Sequence, residues 1–368
     1  MEKSKVYFTD FRVRGNETLP GKMIRLAKTA GIDRIALKGK YAAIKLHFGE
    51  KGNLAYLRPN YAKALADYVR GKGGMPFLTD SNTLYIGSRG NALNHLETAY
   101  ENGYNPFATG CHVLIADGLK GTDEVIVPLD GEYVREAKIG RTVMDADVLL
   151  SLTHFKGHEG TGFGGALKNI GMGCGSREGK KEMHMSEKPA VDRAACIGCG
   201  ICRNNCAHNA ITITGKKAFI NAIACTGCGR CIAVCPNKAI HPMDSRANEI
   251  LAKKIAEYTL AVVSGKPQFH ISLIVDVSPY CDCYSNNDAP VIPDVGMLAS
   301  FDAVALDQAC ADLANAQTPI PNSLLGEAGC ATGDHFHDMF SETDWQAGLS
   351  HAEKIGLGTR AYELITVK

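Results

Sequence analysis

The apolar positions of the chain change period repeatedly. Short runs of strand character at residues 4–9, 42–46, 75–79, 112–116, 125–129 and 148–153 alternate with stretches of helical period. Leu19, Met23, Ile24, Leu26 and Ala27 favour one face of a helix over residues 19–29. Pro59 opens a second helix that runs to about Arg70, and Gly71, Gly73 and Gly74 end it. A third helix is expected over residues 89–102, closed by Gly103. Later in the chain come an amphipathic helix over residues 248–263, a strand at 271–277, a helix over 303–315 capped by Asp302, and a last strand near 363–367. This alternation predicts an α/β fold with a mainly parallel sheet and flanking helices. In such sheets the polar residues just beyond strand ends, here His47, Glu50, Asp80, Asn82 and His154, gather at one edge where ligands bind.

The pattern is interrupted between Cys196 and Cys235. Cys196, Cys199, Cys202 and Cys206 are spaced C-x2-C-x2-C-x3-C, and Cys225, Cys228, Cys231 and Cys235 repeat that spacing with Pro236 following. This is the run of the bacterial two-cluster ferredoxins, in which the fourth cysteine of each run serves the other cluster. The spacing therefore assigns Cys196, Cys199, Cys202 and Cys235 to one [4Fe–4S] cluster and Cys225, Cys228, Cys231 and Cys206 to a second. Gly198, Gly200, Gly227 and Gly229 remove side chains where backbone must approach the sulfides. Two zinc sites are the competing reading, but zinc does not require a third cysteine at the same step and a fourth at x3, repeated twice. Ala207 stands where a proline is expected after Cys206, which removes no ligand. The expected organisation is an α/β domain, residues 1–187 and 244–368, interrupted by a small α+β two-cluster ferredoxin-like domain over 188–243.

Charge changes the picture only locally. Lys+Arg of 40 against Asp+Glu of 39 gives no reason to expect nucleic acid. No apolar run approaches a membrane span and the start carries no apolar signal segment, so a cytoplasmic protein is expected, plausibly from an anaerobic host given oxygen-sensitive clusters. Residues 188–243 hold seven lysines and arginines against one acid, Asp192. That excess reads first as compensation for two anionic clusters and alternatively as a docking face for an acidic electron carrier.

Two further stretches carry candidate chemistry. From His154 to Gly175 a strand runs into a glycine-rich loop holding His154, His158, Lys156, Lys168 and Asn169. Backbone N–H groups of such a loop can surround an anion. The loop is neither a Walker A sequence nor, beyond a loose likeness, a dinucleotide fingerprint; its plain alternative is a flexible surface loop. Cys281 and Cys283 follow the strand expected at 271–277 and could hold an additional metal, or be buried structural thiols. Cys111 and Cys310 read as core, and Cys174 stays open. Cys330, His335 and His337 read as a polar tail loop despite ligand-compatible types.

Together, the stretch Gly165-Ala166-Leu167-Lys168-Asn169-Ile170-Gly171, the Cys281/Cys283 strand end, and residues 290–296 followed by Ser300-Phe301-Asp302-Ala303 resemble the proteins of the family called domain of unknown function 362 (DUF362). The resemblance implies an α/β domain that often carries a ferredoxin-type insert, and no particular reaction. The functional expectation is an iron–sulfur oxidoreductase, or its redox component, passing electrons through two [4Fe–4S] clusters to the sheet edge. His47, His154, His158, Lys168 and Asn169 are the candidate catalytic residues there, and a further metal or a flavin is possible as cofactor. A redox partner protein (ferredoxin, flavodoxin or reductase) and a small-molecule substrate are the expected partners. The alternative is a non-catalytic electron carrier or assembly module docking on a partner enzyme.

Overall fold

Residues 148–154, Val-Leu-Leu-Ser-Leu-Thr-His, are buried at every position, as befits a strand covered on both faces. The computed structural model describes residues 3–185, 188–244 and 246–368. In chain order the main elements are β1 (Ser4–Thr9), α1 (Leu19–Ala30), β2 (Tyr41–Lys45), α2 (Pro59–Gly71), β3 (Met75–Asp80), α3 (Ala92–Glu101), β4 (His112–Ile115) and β5 (Val148–His154). There follow α4 (Ala166–Cys174), α5 (Arg177–His184), the cysteine-rich segment, α6 (Ala247–Val263), β6 (Gln268–Ile274), β7 (Gly296–Ser300), α7 (Ala303–Asn315), α8 (Trp345–Lys354) and β8 (Tyr362–Thr366).

The eight strands form one sheet in the order β8-β1-β7-β6-β5-β2-β3-β4. Only β7 runs against its neighbours; the other pairings are parallel. Alternating side chains feed two cores. On one face Ala42, Ile44, Leu150 and Leu152 meet Leu26 of α1 and Leu65 of α2. On the other, Ala43 and Leu149 share a core with Ile170 of α4, Ile255 of α6 and Val304 of α7. The fold is thus a large, mainly parallel sheet with helices on both sides. No helix among the described residues is long and apolar enough to cross a membrane.

Several expected elements differ for identifiable reasons. Residues 125–129 lie off the main sheet, in Glu124–Pro128, which pairs only with Glu136–Gly140; the strand ends in a proline and none of its residues is fully buried. The third helix starts at Ala92, because Asn91 caps it by accepting the N–H of Asn94, and Arg89 is left outside. The strand expected at 271–277 ends at Ile274, and Asp276 adopts a left-handed φ of 46°. Helix α6, expected to be amphipathic, is buried on most sides because both α4 and α8 pack on it. Its Glu257 carboxylate accepts the N–H groups of Glu132, Tyr133 and Val134 and faces His351 Nε2 at 2.8 Å, so the buried charge is compensated. Gly171 lets α4 lie close against α6: a Cβ there would clash with the Ile255 carbonyl oxygen.

Residues 188–244 pack around an apolar cluster of their own, built from Ile211, Ala218, Ala239, Ile240 and cysteines. Their entry and exit strands, Pro189–Val191 and Ile240–Pro242, pair antiparallel, and a hairpin joins Ile211–Thr214 to Lys217–Ile220.

Candidate functional site

The sheet grows from β2 toward β4 in one direction and from β5 toward β6 in the other. Parallel sheets open a crevice at such a reversal, beyond the carboxyl ends of the strands. Asn169, in the first turn and a half of α4, is wedged there. Its Nδ2 donates to Thr153 Oγ1 (2.9 Å) and Lys45 O (3.2 Å), and its Oδ1 accepts from Lys45 Nζ (2.9 Å). Lys45 ends β2 and is buried, with Asp80 Oδ1, at the end of β3, 3.0 Å from its ammonium. Arg89 is buried beside it, reaching Glu50 Oε2 (3.1 Å), Asp80 Oδ2 (3.4 Å) and Tyr85 Oη (2.6 Å).

A cavity of about 260 Å³ opens above this network. Lys45, Arg89, Lys156, Lys168, Lys180 and Arg230 line it, against the carboxylates Asp80, Glu159 and Glu342. Such a cationic excess in a partly enclosed, low-dielectric space suits an anionic ligand. His47, His158, Lys168, Asn169, Cys281 and Cys283 are all in the wall. Burial, then the cations Arg89 for His47 and Lys168 for His158, hold both imidazoles well below the usual histidine range. His47 Nδ1 accepts the N–H of Gly49 (3.0 Å), and His158 Nδ1 accepts that of Gly160 (3.0 Å). Both rings therefore carry their proton on Nε2.

His154 is not in the cavity wall. Both of its ring nitrogens face acceptors: Asp282 Oδ1 at 2.8 Å from Nδ1 and Val275 O at 2.8 Å from Nε2. Lys156 Nζ completes the arrangement, 3.3 Å from Asp282 Oδ2 and 2.9 Å from the His154 carbonyl. This buried triad, of which only Lys156 reaches the cavity wall, holds the loop that carries the two thiols, and His154 stands behind that wall. Asp282, between the two cysteines, turns its carboxylate toward His154 and Lys156.

The expected metal pair is differently partnered. Cys281 Sγ lies 3.4 Å from the Lys168 ammonium, and among the described residues no third histidine, cysteine or carboxylate atom completes a close group with it. A hydrogen bond from Cys283, together with Lys168 and Lys156, outweighs burial and holds the Cys281 thiol well below its usual range; Cys283, the donor, is pushed up. The arrangement places two neighbouring thiols against an ammonium, with Cys281 the more acidic of the two.

The cysteine-rich segment meets this cavity directly. Cys228, Gly229 and Arg230 form part of its wall. The Arg230 guanidinium stacks over the Tyr284 ring at 4.8 Å, and Tyr284 Oη donates to Glu159 at 2.5 Å. Gly227, with a left-handed φ of 75°, lies so near the His184 carbonyl that a Cβ would strike it. Within the segment, Cys196, Cys199, Cys202 and Cys235 line one small cavity, and Cys206, Cys225, Cys228 and Cys231 line another. Backbone N–H groups of Ala218, Ala210, Gly227 and Ala239 donate to the sulfurs of Cys196, Cys206, Cys225 and Cys235 at 3.3–3.4 Å.

Sequence reading alone passes over Lys45, Arg89 and Tyr284, and takes Lys180 and Arg230 only as part of a general positive charge. A lysine inside the otherwise apolar run of β2 is a usable signal for the first; the others lie on separate elements and only the fold gathers them.

Lys180 gives the cavity a pH dependence. Burial, helped by Lys45 and opposed by Asp117 and Asp80, lowers its ammonium to about 8. Binding of inorganic phosphate, followed by calorimetry, should weaken as pH rises through about 8, and Lys180→Met should remove that inflection. Stability moves the other way: between about 8 and 10.5 the folded chain holds fewer protons at this site than the unfolded one, so unfolding becomes harder as pH rises.

The family model for domain of unknown function (DUF362) matches residues 42–312. The thylakoid-associated protein of Synechocystis sp. (strain ATCC 27184 / PCC 6803 / Kazusa) is 28% identical over 161 residues, 44% of this chain and 45% of that protein, so the chain spans less than half of this curated relative's length. Among solved structures, the lactate racemase apoprotein of Thermoanaerobacterium thermosaccharolyticum superposes with a TM-score of 0.37 and 12% identity, covering 73% of this chain and 51% of that one. A Thermotoga maritima protein superposes with a TM-score of 0.43 and 13% identity, covering 81% and 60%. With its family model running from strand β2 to near the end of helix α7, the chain belongs to the DUF362 family.

Proposed function

We propose that this protein is an iron–sulfur oxidoreductase, or the redox component of one, that acts on an anionic small molecule held at the sheet edge. In this reading residues 188–243 are a two-cluster ferredoxin-like insert. The donor set fits that group better than zinc. Four thiolates on one zinc, each at about 2.3 Å, sit less than about 4 Å apart. Among the described residues none of the eight cysteines enters a group of three whose ligand atoms lie within 4.8 Å of one another. Thiolates at the corners of a cubane need that wider spread, and the N–H donors to sulfur favour the thiolate form.

When bound, two [4Fe–4S] clusters would supply one-electron transfer. The chain's own residues supply the rest. Lys168, Lys45 and Arg230 would neutralise and orient the anion, and Asn169 locks Lys45 at the strand reversal. His47 and His158, neutral, would each donate a hydrogen bond from Nε2 to the bound anion. Cys281 Sγ sits 3.4 Å from Lys168 Nζ, where it would set the ammonium's position. Tyr284 and Arg230 together close the side of the cavity facing the cysteine-rich segment and limit water entry.

The observation that carries this reading is the shared wall: Cys228 belongs both to the substrate-sized cavity and to one of the two four-cysteine cavities. The carrier alternative rests on the basic excess of the insert, but an electron carrier has no use for a cation-lined pocket beside one of its cysteines. A partner such as a ferredoxin, flavodoxin or reductase would then deliver electrons to the other four-cysteine cavity. Anaerobic purification tests the reading. About eight irons per chain and visible absorbance bleached by dithionite are expected; a colourless, iron-free protein with zinc bound by four sulfurs would end it.

A further inference from the structure

Away from the cavity, Cys330, His335 and Asp338 bring a sulfur, an imidazole nitrogen and a carboxylate oxygen within 4.8 Å of one another. His335 and Asp338 are three apart on the short helix His335–Met339, so both side chains rise from one face. Asp334 fixes that helix: its Oδ1 accepts the N–H groups of Phe336 and His337, and its Oδ2 accepts Trp345 Nε1 at 2.8 Å.

Two atoms of the group are buried without a partner. His335 is only 5% exposed, and its Nε2 faces the Gln317 carbonyl at 2.8 Å, while Nδ1 has no hydrogen-bond partner. Asp338 Oδ1 accepts from Thr332 Oγ1 (2.8 Å) and Thr332 N (3.2 Å), while Oδ2 is buried and unpaired. Buried acceptors of this kind are rarely left empty, because the lost solvation is not repaid. A cation would satisfy both lone pairs at once. The outer hydrogen bonds are also those of a metal ligand set: an imidazole whose second nitrogen is oriented by a backbone carbonyl, and a carboxylate whose second oxygen is held by a hydroxyl.

We propose that Cys330, His335 and Asp338 form a zinc site separate from the eight-cysteine segment. One thiolate, one imidazole and one carboxylate are borderline donors that suit Zn²⁺ over a hard cation such as Mg²⁺. Cys330 is exposed, so water reaches the fourth position. The metal would pin the loop from Cys330 to Asp334 against the end of α7, where Gln317 anchors His335.

Protein produced with Zn²⁺ in the medium and purified anaerobically should carry about one zinc per chain. X-ray absorption at the zinc edge, which iron does not obscure, should show one sulfur and lighter donors otherwise. Cys330→Ala and Asp338→Ala should lose the zinc and keep the iron content of the parent. Because Cys330 is exposed, its replacement leaves the fold intact. Protein that takes up no zinc from a Zn²⁺ solution would overturn the proposal. So would zinc in an all-sulfur environment that persists in Cys330→Ala, since that metal would reside among the other cysteines.

Discussion

Cys228→Ala is expected to cost the protein about half its iron and to reduce viologen-linked turnover to background. Cys228 lines one four-cysteine cavity and the substrate-sized cavity at once. Its loss would therefore remove the proposed cluster on the side that faces the sheet edge. Cys199, exposed and lining only the other cavity, is the matched control. Cys199→Ala should lose a similar share of iron and impair reduction by an external donor. In the parent protein, two neighbouring paramagnetic centres should broaden each other's resonance after dithionite reduction; each variant should show one narrower signal. Binding of inorganic phosphate should survive in Cys228→Ala, because Lys45 and Lys168 are untouched. Full iron and unchanged turnover in Cys228→Ala would remove the shared wall from the mechanism.

The second large effect is on stability. Asp282 is fully buried and holds both His154 and Lys156. Asp282→Ala leaves the Lys156 ammonium without its counter-charge, and breaking one partner of a buried ion pair costs about 3–5 kcal/mol. Urea unfolding should show that loss, and Lys156→Met on the same background should recover part of it. The pH dependence follows with a definite sign. Burial opposes ionisation, but His154 and Lys156 hold the Asp282 carboxyl well below the usual carboxylate range. Its contribution is complete above the unfolded value of about 3.9 and is lost as pH falls from there toward the depressed folded value. The parent should therefore lose stability on acidification more steeply than Asp282→Ala. Equal acid sensitivity in the two would mean the triad does not hold the loop.

Some of the site is legible in the residues because it is local. C-x2-C-x2-C-x3-C is a short-range instruction, and its two copies already sort the cysteines into the sets that line two cavities. Lys168 and Asn169 stand out because charged and amide side chains in a glycine-rich stretch after a buried strand have few structural uses. His154 stands out by the same rule, yet the fold assigns it to the supporting triad. His335 reads as part of a polar tail, because nothing in its neighbours announces that its ring will be buried against the Gln317 carbonyl.

The chain by itself determined its layered α/β plan, the eight thiols and the polar character of the strand ends, since period and spacing act over a few residues. Only the tertiary structure decided that Lys45, Arg89, Lys168, Arg230 and Cys281 share one cavity, and that Cys228 stands in its wall. The reason is geometric. Parallel strands far apart in sequence must end at the same edge, and the reversal between β2 and β5 fixes which of those ends face each other across an open crevice.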